Sequence, residues 1–186
     1  MTSTTALLRT MEAAEAPGVD ELVPRIYDEL RAMAHRQLAR EARNATIQTT
    51  ELVHEAYVRM VDDDGVTRRG RAYFFAAAAQ AMRRVLIDAA RKRHAAKRGG
   101  GSVAHLTLEE RHVSVDGYAS ELLDLDTALR ELEQRSVRQV RVVECRFFGG
   151  MSVEETAEAL DVSARTVKSD WALARAWLFD RLRADG

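Results

Sequence analysis

Residues 152–182 read SVEETAEALDVSARTVKSDWALARAWLFDRL, and this stretch decides the fold. Ser152 precedes Glu155 by three places, the spacing of a capping box. It predicts a short helix ending near Leu160 with Val153, Ala157 and Leu160 turned inward. Asp161-Val162-Ser163 then makes a three-residue turn, and Ser163 is placed to cap a second helix from Ala164 to about Leu182. The apolar positions of that helix, Val167, Trp171, Ala174 and Leu178, recur at helical spacing. Two helices joined by so short a turn form a helix-turn-helix pattern. In such units the first residues of the second helix enter the major groove, where Arg pairs bidentately with guanine and Lys or Ser reaches bases or phosphates. Arg165, Thr166, Lys168 and Ser169 occupy those positions. A plain helical hairpin with solvated charges fits the same spacing, so the rest of the chain has to decide between them.

Working outward, Leu122, Leu125, Leu129 and Leu132, then Val137, Val140, Val143, Cys145 and Phe147, predict two further helices. From Gly99-Gly100-Gly101 to about Leu123 no helical period is sustained, which predicts a linker. Before it, Arg71 to Arg98 is alanine-rich and free of breakers, so it runs as one or two helices. Leu52, Val53, Ala56, Tyr57, Met60 and Val61 form one face of an earlier helix, with His54, Glu55, Val58 and Arg59 opposite. Leu22, Val23, Ile26, Tyr27, Leu30, Met33, Ala34 and Leu38 mark a first helix, with Asp20 as its N-cap and Pro24 in the first turn. The expected fold is all-α: two small helical domains, 1–98 and 124–186, joined by a linker over 99–123.

The 186 residues include 46% hydrophobic residues, two prolines and one cysteine, an ordinary globular composition. A lone Cys145 forms neither an internal disulfide nor a cysteine zinc site, and its apolar surroundings suit a core position. The N-terminus lacks a basic region followed by an apolar core, and the longest apolar run, Tyr73 to Ala79, is far below the roughly 20 residues that cross a bilayer. A cytoplasmic location without membrane contact is expected.

The net charge of −1 hides an uneven distribution. Seven bases lie between Arg83 and Arg98 against one acid, Asp88, while eight acids lie between Glu109 and Glu133 against Arg111 and Arg130. On the basic helix Arg84, Asp88, Arg91 and Ala95 share one face, with Met82, Leu86 and Ala89 behind. Such a stripe can track a phosphate backbone. The aromatics Tyr73, Phe74 and Phe75 offer either a stacking surface for unpaired bases or core packing, the second being favoured. The opposed charges leave two readings, an acidic segment that folds over the basic helix in the free chain and suppresses stray DNA binding, or a solvated linker, the second being favoured.

Three motifs occur in order: Glu51-Leu52-Val53-His54-Glu55-Ala56-Tyr57-Val58-Arg59, Ala81-Met82-Arg83-Arg84-Val85-Leu86-Ile87-Asp88, and Phe147-Phe148-Gly149-Gly150-Met151-Ser152-Val153-Glu154-Glu155-Thr156-Ala157 leading to Ser163-Ala164-Arg165-Thr166-Val167-Lys168. With these the chain resembles a bacterial RNA polymerase sigma factor of the extracytoplasmic-function (ECF) group, and within it the ECF-like subgroup that shares a Gly-Gly-Gly junction. The resemblance runs from about residue 20 to 183. It implies a specificity subunit with no catalytic residue, metal or cofactor, which binds core RNA polymerase at its clamp and flap regions and also binds promoter DNA. Leu52, His54, Glu55 and Arg59 would meet the clamp. Arg84, Asp88, Arg91 and Lys92 would lie on the minus-10 helix, and the Asp62 to Gly70 loop would hold a flipped base. Ser163, Arg165, Thr166, Lys168 and Ser169 match the minus-35 helix. Gln48, Thr49 and Thr50 stand where members of the group often carry acids. Control by an anti-sigma factor or another regulator is left open, as is masking between the domains.

Two other classes fit parts of the sequence. A stand-alone helix-turn-helix regulator would share the C-terminal pattern but leave the two N-terminal motifs without a role. Glu51-x-x-His54 and Glu109-x-x-His112 match the ligand spacing of di-iron helical bundles, a pattern that arises readily by chance.

Overall fold

The computed structural model describes residues 19–39, 47–61, 70–98 and 112–184. Among the described residues there are seven α-helices, one π-helical turn and no strand: α1 Val19–Leu38, α2 Thr49–Val61, α3 Arg71–Arg98, α4 His112–Arg135, α5 Val137–Val143, the π-helical turn Glu144–Phe148, α6 Val153–Leu160 and α7 Ala164–Ala184. None of these helices is long and apolar enough to cross a membrane. The 62–69 part of the Asp62 to Gly70 loop and the 99–111 part of the linker, with Glu109, Glu110 and His105, lie outside the described residues.

The central element is α3, a single helix of 28 residues, about 42 Å long at 1.5 Å per residue. Ala78, Ala79, Met82, Val85, Leu86, Ile87 and Ala90 are all buried, so this helix is apolar on most of its circumference, as a helix enclosed by others must be. α1 contributes Leu30, Met33, Ala34 and Leu38 to the same core, and α2 contributes Leu52, Val53, Ala56 and Met60. α1 begins at Val19, one residue before the expected cap, so Asp20 lies inside the first turn and Pro24 is the sixth residue. Tyr57, read as part of the apolar face of α2, is instead 53% exposed.

α4 starts at His112, so residues 112–123, read as linker, are helical. Ala119, Leu122, Ala128, Leu129 and Leu132 on it are buried, and this packing outweighs the weak helix propensity of Gly117 and the β-branched Val113 and Val115. The core is continuous from α1 through α7, with Val140, Cys145, Phe148, Ala174 and Leu178 joined to the residues of α1 to α3.

The π-helical turn is closed by Gly149 N–H donating to Glu144 O at 2.9 Å and Met151 N–H donating to Cys145 O at 3.0 Å. Gly150 there has φ +64°, a left-handed backbone that glycine adopts without penalty. A Cβ on Gly149 would lie 2.5 Å from Cys145 O and 3.2 Å from Ala79 Cβ, so only glycine lets this turn press against α3.

Candidate nucleic-acid interface

The α6–α7 pair is built by local side-chain chemistry. Glu155 N–H donates to Ser152 Oγ at 3.0 Å, and Ser152 N–H donates to Glu155 Oε2 at 2.8 Å, so both halves of the capping box are made. α6 ends at Asp161, whose φ of 53° is left-handed, with Val162 N–H donating to Ala157 O at 3.0 Å. Asp tolerates this conformation better than most residues. Ser163 then caps α7, accepting from Thr166 N–H at 3.0 Å. The buried face of α6 is Thr156 and Ala159, whereas Val153, Ala157 and Leu160 are only partly buried. Thr156 can be buried because its hydroxyl donates to Ser152 O at 2.7 Å.

Hydrogen bonds from Ser152, and then Arg71 beside it, hold the Glu155 carboxyl below the usual range of a glutamate. A depressed folded pKa gives a contribution that is complete above the ordinary glutamate value of about 4.3 and fades as the pH falls through the lowered value. Ser152→Ala removes the acceptor of the Glu155 N–H and is expected to cost about 1 kcal/mol. Glu155→Gln removes the charge that the Ser152 N–H and Arg71 favour, so its cost should be largest at neutral pH and narrow in acid, as read by urea unfolding across a pH series.

On α7, Val167, Ala174 and Leu178 are buried while Arg165, Lys168 and Ser169 are exposed. Positions i, i+3 and i+4 share a face, so these three side chains stand together on the first turns, with Ser163 exposed at the cap and Thr166 half-buried beside it. The pair is anchored by a residue that periodicity does not reveal. Asp170 is buried and accepts from Arg138 Nε of α5 at 2.6 Å, and this pairing raises the Arg138 pKa.

On α3, Arg84, Arg91 and Lys92 are exposed and Asp88 is half-exposed. Asp88 pairs with Arg59 of α2 at 3.0 Å and with Arg91 at 3.7 Å. Two sets of predicted contact residues therefore meet in one ion pair. Phe74 and Phe75 are buried edge to face at 5.4 Å, in the core rather than on a stacking surface. On α2, His54, Glu55 and Arg59 are exposed, whereas Leu52 is fully buried and supports the helix from behind.

Among the described residues, Asp126 carries the acidic segment onto the basic helix. Asp126, 5% exposed, accepts from Arg83 at 2.8 Å, Arg91 at 2.7 Å and Arg130 at 3.0 Å. Glu144, beyond the segment and 3% exposed, accepts from Arg83 at 2.7 Å and Arg141 at 3.2 Å. Glu121, Asp124 and Glu133 are exposed, and Glu131 pairs with Arg181 at 2.7 Å.

Next to Glu144, burial and that carboxylate push the Cys145 thiol up to about 12. A thiol is unreactive while protonated. Cys145 is thus expected to resist alkylation at neutral pH until the chain is unfolded in urea, which mass spectrometry after a timed iodoacetamide pulse reads directly.

No metal-holding group of three or more His, Cys, Asp or Glu occurs among the described residues. No curated protein and no solved structure matches the chain. Among protein-family models, that of the ECF sigma factor matches residues 1–184. With so nearly complete a match, the chain belongs to the ECF sigma factor family.

Proposed function

We propose that this chain binds core RNA polymerase in the cytoplasm and directs promoter-specific initiation through two domains, 1–98 and 124–186, joined by 99–123, the latter part of which is the start of α4. The first turns of α7, with Ser163, Arg165, Thr166, Lys168 and Ser169, read minus-35 DNA. Arg84, Asp88, Arg91 and Lys92 on α3 serve the minus-10 element and its melting. The family match over residues 1–184 carries the proposal, because it takes in all three motifs in one chain.

The exposures of individual residues support it. His54, Glu55 and Arg59 surround the outward-facing Tyr57 and Val58, which are 53% and 51% exposed. An apolar centre with a polar rim is the make-up of a protein interface and fits docking on the polymerase clamp. A groove of about 650 Å³ between α4, α5 and α7 is lined by Leu125, Val143, Trp171, Leu178 and Phe179, with Arg175 at its side. Such a groove suits an amphipathic helix, as the polymerase flap would have to offer. An anti-sigma factor, where one exists, would act by covering these same surfaces.

The mechanism needs no group with its own chemistry. Polymerase fixes the separation of the two DNA-reading parts, so that binding of the second becomes intramolecular and two weak contacts add up to tight binding. Phosphate contacts supply salt-dependent affinity, and melting requires unpaired bases to be trapped at a cost of a few kcal/mol each.

Co-elution of the full chain with bacterial core polymerase tests the proposal. Tyr57→Ala/Val58→Ala is expected to weaken that binding about tenfold or more while the protein remains folded. A chain that never co-elutes with core polymerase contradicts it.

A further inference from the structure

We propose that Asp170 sets the reading register of the minus-35 helix. Paired with Arg138 of α5, it fixes the rotation of α7 about its own axis and so decides which base edges Arg165, Lys168 and Ser169 reach. It is a positioning residue, and its role rests on reading α7 as a DNA-contacting helix.

Asp170 directly follows the exposed Ser169, yet it is 4% exposed. The other buried side chains of α7 are Val167, Ala174 and Leu178, which at about 100° per residue form one stripe roughly opposite Arg165. Asp170 stands about 60° to one side of that stripe, on the flank between the core and the DNA-reading face.

Its carboxylate is gripped side-on by one guanidinium. Arg138 Nε donates to Asp170 Oδ2 at 2.6 Å, and Arg138 Nη2 donates to Asp170 Oδ1 at 3.4 Å. Such a two-point contact fixes an angle as well as a distance. α5 is itself set by the buried Val140, Val142 and Val143, and by Ser136, which accepts from Gln139 N–H at 3.3 Å.

Stability gives little reason for this pair. The Arg138 side chain is 55% exposed, so solvent screens the attraction while the Asp170 carboxylate forfeits its hydration. Apolar side chains in such a place are commonly as stable. What a directional contact adds is orientation. Helices packed through aliphatic side chains scatter by about 15–20° around their preferred angles. A roll of that size moves side-chain tips, about 5–6 Å from the helix axis, by roughly 2 Å. A bidentate arginine–guanine contact, whose hydrogen bonds span only about 2.7–3.2 Å, does not survive such a shift.

The test uses the full chain with core polymerase on a promoter library, reading base preference at minus-35 and at minus-10 from the same transcripts. Asp170→Leu leaves Arg138 in place, and the double variant Arg138→Met/Asp170→Leu removes the pair without stranding a charge. Each, like Arg138→Met alone, should lower the preference for the best minus-35 base about tenfold and leave minus-10 preference unchanged. The double variant should lose no more than the worse single variant, because the two residues act through one contact. Its urea midpoint should stay near that of the wild type. Asp170→Asn keeps the shape and one hydrogen bond, and should recover most of the preference. Folded variants with wild-type minus-35 preference overturn the proposal, as do single losses that simply add in the double variant. Loss of the fold in all four variants would make the pair a support of the domain and overturn it too. Wild-type transcription with an unaltered preference in Asp170→Leu sinks this inference alone. Absence of polymerase-dependent transcription by the wild type sinks the sigma-factor reading, and the inference with it.

Discussion

Arg83→Ala is expected to lower the stability of the folded chain by about 3–5 kcal/mol, the range for breaking a buried ion pair from one side. The side chain bridges two carboxylates, Asp126 and Glu144, whose own side chains are almost wholly removed from water. Arg91, Arg130 and Arg141 remain near those acids but are half-exposed or more, so they replace little of the lost neutralisation. The cost comes mainly from stranding the acids, not from losing an attraction. Arg83→Met combined with Asp126→Leu and Glu144→Leu should therefore recover most of the stability, since an apolar replacement of a buried ionic cluster is often neutral or better. Urea unfolding followed by circular dichroism measures both. A loss below about 1 kcal/mol, the level of an exposed ion pair, would mean that the two acids are solvated and that the Arg83 cluster is not closed in solution.

The second large effect is on promoter reading. Arg165→Ala is expected to cost about 1–3 kcal/mol of discrimination, roughly five- to 150-fold in transcription from the preferred promoter, and to relax the choice of base at one position. Lys168→Ala should weaken binding more evenly across sequences and reduce the salt dependence, as loss of a phosphate contact does. Both side chains are exposed and neither belongs to the core, so the unfolding midpoint should stay where it is. Sequencing transcripts from a promoter library with each variant reads the two patterns apart. A uniform loss for Arg165→Ala would place that residue on the backbone instead of a base.

These two predictions also mark what the amino-acid sequence reveals and what it conceals. The α6–α7 pair was legible because its boundaries are set within a few residues: Ser152 with Glu155, and Ser163 with Thr166, make their bonds three places apart. That Arg71 to Arg98 is helical is legible from its alanine content and lack of breakers, although these leave one helix or two open where the structure has one; the outward side of α2 with His54, Glu55 and Arg59 is legible from its helical period. The start of α4 was not, because residues 112–123 have little propensity of their own and are helical through what Ala119 and Leu122 pack against. The inward face of α6 was misjudged because Thr156 looks polar until its hydroxyl finds Ser152 O. Charge counting leaves an approach of the acidic segment to the basic helix as the less favoured of two readings, and it cannot single out Asp126 among eight acids or look to Glu144 outside the segment. The partners of Arg83 lie 43 and 61 residues away along the chain, and only the packed fold brings them together. Asp170, paired with Arg138 across 32 residues, was hidden in the same way.

Run-off transcription with bacterial core polymerase on a random promoter pool, with and without this chain, followed by sequencing of the transcribed templates, tests the central claim most directly. Enrichment of two upstream motifs at fixed positions, only when the chain is present, is the expected result. Polymerase that gains no promoter preference, while the chain alone retains one duplex sequence, would contradict it and leave a stand-alone DNA-binding regulator in its place.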